Sequence, residues 1–127
     1  MLLRNVTFAL LAALCLAPAF AAPVAPVPVE VGGKPWLQTQ VTPFDPKDPE
    51  TTYKVYTEIL AFDGKAPITK GPGGKFPHHR GLFLGWKDTL IDGQDLDTWH
   101  MSNSIQQLNR VVSNKDGEQV LAVDWNL

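Results

Sequence analysis

At 127 residues, 44% of them hydrophobic, and with a formal net charge of −2, the chain has room for one domain with a modest core. The slight acidity and the absence of any run of like charges exclude a nucleic-acid surface built on a basic face. The single cysteine, Cys15, excludes a disulfide framework, so packing and hydrogen bonding must hold the fold.

The first segment, "MLLRNVTFALLAALCLAPAFAAP", has one cation (Arg4), an apolar run from Val6 to Leu16, and the small-residue site Ala19-Phe20-Ala21. That is the pattern of a secretory signal peptide over residues 1–21. Its apolar run is shorter than the roughly 20 residues of a membrane-spanning helix. The expected location is therefore the periplasm or beyond, with no membrane span after cleavage.

Residues 22–35, "APVAPVPVEVGGKP", carry prolines at 23, 26, 28 and 35. Proline removes backbone donors and favours extended chain, so this stretch reads as a linker or a lead-in strand. The domain proper is expected over residues 36–127. Residues 42–51, "TPFDPKDPET", read as a long loop. "YKVYTEILAF" (Tyr53 to Phe62) is rich in aromatic and β-branched residues and stops at Asp63-Gly64, which predicts a strand ending in a turn. No helix fits the glycines and prolines of residues 63–80. "GLFLGWK" (Gly81 to Lys87) is apolar on both alternating faces, which predicts a buried central strand.

A turn follows at Asp92-Gly93, then a short irregular or extended piece. "SIQQLNRVVS" fits a helical stripe through Ile105, Leu108 and Val112, while its β-branched end favours a strand. The strand is preferred, because Asn114-Lys115-Asp116-Gly117 then makes a hairpin turn into the alternating "EQVLAVDWNL". No helix is expected outside the signal peptide, and the fold class is all-β. The chain stops at Leu127 inside an apolar strand. An open apolar edge invites association, so the expectation is either a sheet whose next strand is missing or a short domain that dimerises there.

The chemistry-bearing residues cluster in the middle of the chain. "KGPGGK" lacks the Ser or Thr of a phosphate loop, and no dinucleotide fingerprint occurs, so neither motif identifies a cofactor and its identity stays open. The carboxylates of "DGQDLDTWH" do not follow a calcium-loop pattern. All three histidines lie between residues 78 and 100. His79 and His100 are candidate general acids or bases near neutral pH, with Asp97 three residues before His100 as partner. His78, Arg80 and Trp99 are candidate ligand-binding residues: Arg80 to anchor a carboxylate or sugar hydroxyls, Trp99 as an apolar face for a sugar ring. Trp86 is expected in the core. A metal held by the histidines is an alternative, although adjacent His78 and His79 on extended backbone point to opposite sides unless Pro77 bends the chain. A polar turn without any site is the other.

The ordered motifs "ITKGPGG", "PHHRGLFLGW", "DTWHM" and "DWNL" make residues 36–127 similar to a bacterial exported family common in planctomycetes and labelled methane oxygenase PmoA. The resemblance implies a domain longer than this chain, of which residues 36–127 are the N-terminal part. It also implies a β-sandwich similar to the galactose-mutarotase supersandwich, and a setting among polysaccharide-degrading and sugar-oxidising proteins. Methane oxidation, the work of a transmembrane-helical subunit, does not follow from these residues. The functional expectation is a sugar-processing enzyme with a carbohydrate ligand. Its alternatives are a non-catalytic glycan-binding module and the metal-dependent oxygenase of the family label.

Overall fold

The computed structural model describes residues 25–126, and the expected signal peptide at 1–21 lies outside the described residues. In chain order the elements are β1 (Val27–Val31), β2 (Lys34–Gln40), α1 (Pro49–Thr52), β3 (Tyr56–Ile59), β4 (Thr89–Ile91), β5 (Gln94–Leu96), β6 (Ile105–Lys115) and β7 (Glu118–Asn126). The strands form three antiparallel sheets, β1-β2-β3, β4-β5 and β6-β7. The class is all-β.

Turn chemistry explains the hairpins. Gly32 and Gly33 join β1 to β2 with φ of 61° and 73°, the left-handed pair that a tight two-residue hairpin turn needs. Asp92-Gly93 does the same between β4 and β5. The tips of the two larger hairpins meet: Gly32 donates its N–H to Asp116 Oδ1 at 2.6 Å, and Gly117 donates to the Glu30 carbonyl at 2.6 Å. Thr39 on β2 donates to Gln119 on β7 at 2.6 Å, tying the two sheets together. Register shifts after Leu108 and Val111 bend the long β6-β7 ribbon.

Several segments depart from expectation. The ladder of β3 is confined to Tyr56–Ile59, because Tyr53 and Lys54 turn away and Tyr53 instead accepts from the Gln106 N–H of β6 at 2.8 Å. Proline at the first helical position starts a single helical turn, α1, within the expected loop. The largest correction concerns Gly81–Lys87, which is not a buried strand. Leu82 alone bridges to Thr57, while Leu82, Leu84 and Trp86 are exposed. Trp86 is not a core residue; it leans on Trp125 with ring centroids 5.8 Å apart. The reason lies in the two flanking glycines. A Cβ on Gly81 (φ 38°) would sit 2.3 Å from the Thr57 carbonyl oxygen, and one on Gly85 would sit 2.6 Å from that of Thr98. The segment threads between two backbones with no room for a side chain at either glycine.

The alternation of β3 and the residues before it is inverted relative to a simple core strand. Thr52, Lys54, Tyr56, Glu58 and Leu60 are buried, whereas Val55, Thr57 and Ile59 are half-exposed. Val55 and Thr57 join Leu82, Leu84, Leu121 and Val123 around an apolar hollow of about 300 Å³. The polar face is turned inward, toward the corner that carries the histidines.

Candidate functional site

Residues 70–81 make no ladder, so other groups must satisfy their backbone. Lys70 Nζ donates to the carbonyls of Gly71 (3.1 Å), Gly73 (2.5 Å), Phe76 (3.0 Å) and His79 (3.1 Å). One ammonium, with three N–H groups shared among four oxygens, thus gathers the whole glycine-rich loop. Arg80 does the same from inside. Its side chain is 2% exposed. Nε and Nη2 donate to the Pro77 carbonyl at 3.1 and 2.7 Å, and Nη2 also donates to that of Glu50 at 2.7 Å. The guanidinium lies over Tyr53 and Tyr56, at 4.7 and 5.4 Å from the ring centroids. Arg80 is therefore placed differently from the exposed ligand anchor its sequence context suggested: its fork clamps backbone.

These two clamps set the histidines. A turn at Pro77-His78, closed by His79 N–H to the Phe76 carbonyl at 3.1 Å, puts both rings on one side of the chain. The bend that extended backbone denies is supplied at Pro77. The His78 ring stands 4.2 Å from that of His79 and 4.5 Å from that of His100. His79 also stacks on Phe76 at 5.3 Å and meets the edge of Trp99 at 5.8 Å. Residues 22 positions apart in sequence are thus one continuous imidazole row.

The far end of the row is an Asp–His pair. Asp97 Oδ1 accepts the His100 N–H at 2.8 Å, and Oδ2 pairs with His100 Nδ1 at 2.6 Å. The turn is closed by Ser102 N–H to the Asp97 carbonyl, and Met101 takes the left-handed conformation at φ 64° while its side chain is buried. Partial burial pushes the Asp97 carboxyl up, but hydrogen bonds from the His100 backbone and ring, the charge of that ring and the Trp99 backbone N–H outweigh it and hold the carboxyl below its ordinary value. Burial, then the neighbouring His79, His100 and Lys54, push His78 below the usual imidazole range, against a smaller pull from Asp97.

Sequence reasoning missed Lys54. It is 3% exposed, donates to the Trp99 carbonyl at 2.7 Å, and lies 3.7 Å from the centroid of Phe83. Burial first, and Arg80 second, lower its pKa to about 8, with Asp97 opposing. One signal was available: Lys54 shares period-two parity with Tyr56 and Glu58, a buried face in a β-rich run. Lys70 and Phe83 carried no such signal.

Thr69, Lys70, His79, Arg80, Phe83 and Trp99 line an open hollow of about 430 Å³ beside the imidazole row. The corner thus brings together two aromatic walls and His79 at the hollow, with His78 and the Asp97–His100 pair further along the row. Among the described residues no group of three or more His, Cys, Asp or Glu side chains is arranged to hold a metal ion. Among them, too, no helix is long and apolar enough to cross a membrane.

Residues 26–126 match the model of a family of unknown function, DUF6807, and the chain belongs to that family. No curated protein and no solved structure matches it.

Proposed function

We propose that this is an exported carbohydrate-active protein of β-sandwich architecture, in which the Asp97–His100 pair serves as general acid–base. The observation that carries the reading is the pairing of His100 Nδ1 with Asp97 at 2.6 Å, at the end of an imidazole row bordering an aromatic-lined hollow. With Nδ1–H held by the carboxylate, Nε2 keeps its lone pair and can take a proton from a sugar hydroxyl; Asp97 stabilises the imidazolium that results. His79 is exposed next to Trp99, and a ring lying on that indole would present its hydroxyls to it. His78 is biased toward its neutral form between two other imidazoles and serves as acceptor or relay.

The second reading, a non-catalytic glycan-binding module, is favoured by the exposed aromatic faces of Trp86 and Trp99. His100→Gln separates the two. Sugars and oligosaccharides are incubated with the protein and followed by NMR, for both turnover and binding. The acid–base role predicts a loss of about 100-fold or more in turnover with binding retained. Binding without turnover in the unmodified protein, unchanged in His100→Gln, would establish the binding module. Neither binding nor turnover of any sugar would end the carbohydrate reading.

A further inference from the structure

The cations around the hollow have no carboxylate partners. Lys54 is held by a carbonyl and a phenyl face, Arg80 by two carbonyls and two tyrosine faces, and Lys70 by four carbonyls. Such partners solvate a cation without cancelling its charge. Buried charges are ordinarily paired with an opposite charge. Here the one ion pair among the described residues is Asp97–His100. Arg80 Nη1 is buried with no partner at all.

The acids that approach are engaged elsewhere. Asp97 is tied to His100. Glu58 Oε2 accepts from both Gln38 and Gln40, at 2.7 and 2.6 Å. Glu50 contributes its carbonyl to Arg80, and its carboxyl lies near Gly73, outside the residues lining the hollow. The lining itself contains Lys70, His79 and Arg80 and no acid. Lys54 stands behind it, close enough to Arg80 for the guanidinium to disfavour the charged amine. A chain with more acids than bases has therefore gathered three cations around one opening, the exposed Lys70 among them; Asp97 partly offsets Lys54, and no acid stands in the lining itself.

Resting on the carbohydrate reading above, we propose that the hollow selects an acidic sugar, a uronic acid residue whose carboxylate supplies the missing counter-charge beside Lys70 and Arg80. The sugar ring then lies against Trp99 and Phe83, which are 5.1 Å apart, centroid to centroid. His79, exposed at the same opening, faces the ring hydroxyls. A neutral sugar gains the aromatic contact and forgoes the electrostatic one.

The test is a calorimetric and NMR titration of the whole chain with glucuronate, glucose and acetate. Glucuronate is expected to bind about tenfold or more tightly than glucose, and to weaken several-fold between about 0.02 and 0.2 M NaCl. Its binding is also expected to raise the titration midpoint of the Lys54 amine, which needs no variant to observe. Lys70→Met, checked for folding by its melting curve, is expected to shrink the preference for glucuronate over glucose. Equal binding of glucose and glucuronate overturns the acidic selectivity and leaves the carbohydrate reading standing. Acetate binding as tightly as glucuronate overturns the sugar reading and leaves an anion site. Glucuronate binding without any movement of Lys54 places the ligand elsewhere and overturns the proposal. No binding of any of the three overturns both.

Discussion

The β6-β7 ribbon and the segment from Lys70 to Ser104 are both largely exposed, yet they are held in different ways. In the ribbon, nine residue pairs from Ile105↔Asn126 to Lys115↔Glu118 form a ladder interrupted by two register shifts, and the backbone satisfies itself. In the segment, apart from the three-residue strands β4 and β5, isolated backbone bonds such as Gly81 N–H to the Lys70 carbonyl and Thr98 N–H to that of Trp86 are supplemented by side chains reaching in. Lys70 holds the glycine loop, Arg80 holds Pro77 and α1, Lys54 holds Trp99, and Thr98 both accepts from Trp86 N–H and donates to its carbonyl. The difference teaches where the chain is vulnerable. A ladder bond survives a change of side chain, whereas a clamp is lost with its residue. The geometry of the imidazole row also belongs with the clamps, because they fix rings from distant parts of the chain against one another.

Substitutions sharpen that contrast, and the largest effect is expected at Gly81. Gly81→Ala places a methyl against the Thr57 carbonyl in a backbone conformation that disfavours side chains, so a loss of about 3 kcal/mol or more is expected in urea unfolding. A loss below about 1 kcal/mol would mean that the close approach to β3 is not rigid. Arg80→Leu keeps bulk and removes the donors to Pro77 and Glu50, leaving part-buried carbonyls without their partner; roughly 1–3 kcal/mol should be lost by the same measurement.

The next effect is one of pH. The native amine of Lys54 titrates near 8, below its ordinary 10.5, so the folded state disfavours the charged form. In that window the unfolded chain binds more protons, and stability must rise with pH. The gap between the melting temperatures of the wild type and Lys54→Met should therefore shift in the wild type's favour from pH 8 to 10.5, and stay constant below that window. A gap that does not move would remove Lys54 from the cations that burial destabilises. The smallest effect is expected in the ribbon. Val112→Thr, on an exposed position of β6, should change stability by no more than about 0.5 kcal/mol. A larger loss there would show that the ribbon's outer face is packed against something, and would weaken the contrast with the clamped segment.

How much of this was legible beforehand follows the same division. The β6-β7 hairpin could be read from Asp116-Gly117 and the alternation after it, because turn geometry and period are local properties. The His-His corner could be read as a cluster from composition, and Pro77 as the source of its bend. The fate of Gly81–Lys87 could not. Apolar residues on both faces describe a buried strand equally well as a segment pinned between two carbonyls, and what decides is the distance to Thr57 and Thr98.

The sequence by itself determined an all-β class, the turns at Asp63-Gly64, Asp92-Gly93 and Asp116-Gly117 but not the one at Gly32-Gly33, and the grouping of titratable residues between 78 and 100. These depend on neighbours along the chain: conformational freedom at glycine, the fixed φ of proline, alternation in strands. Only the tertiary structure decided that Arg80 points inward, that Lys54 underlies Trp99, and that His78 joins His79 to the Asp97–His100 pair. Each of those depends on which backbone carbonyl lies within about 3 Å of a cation, a distance set by chain segments far apart in sequence.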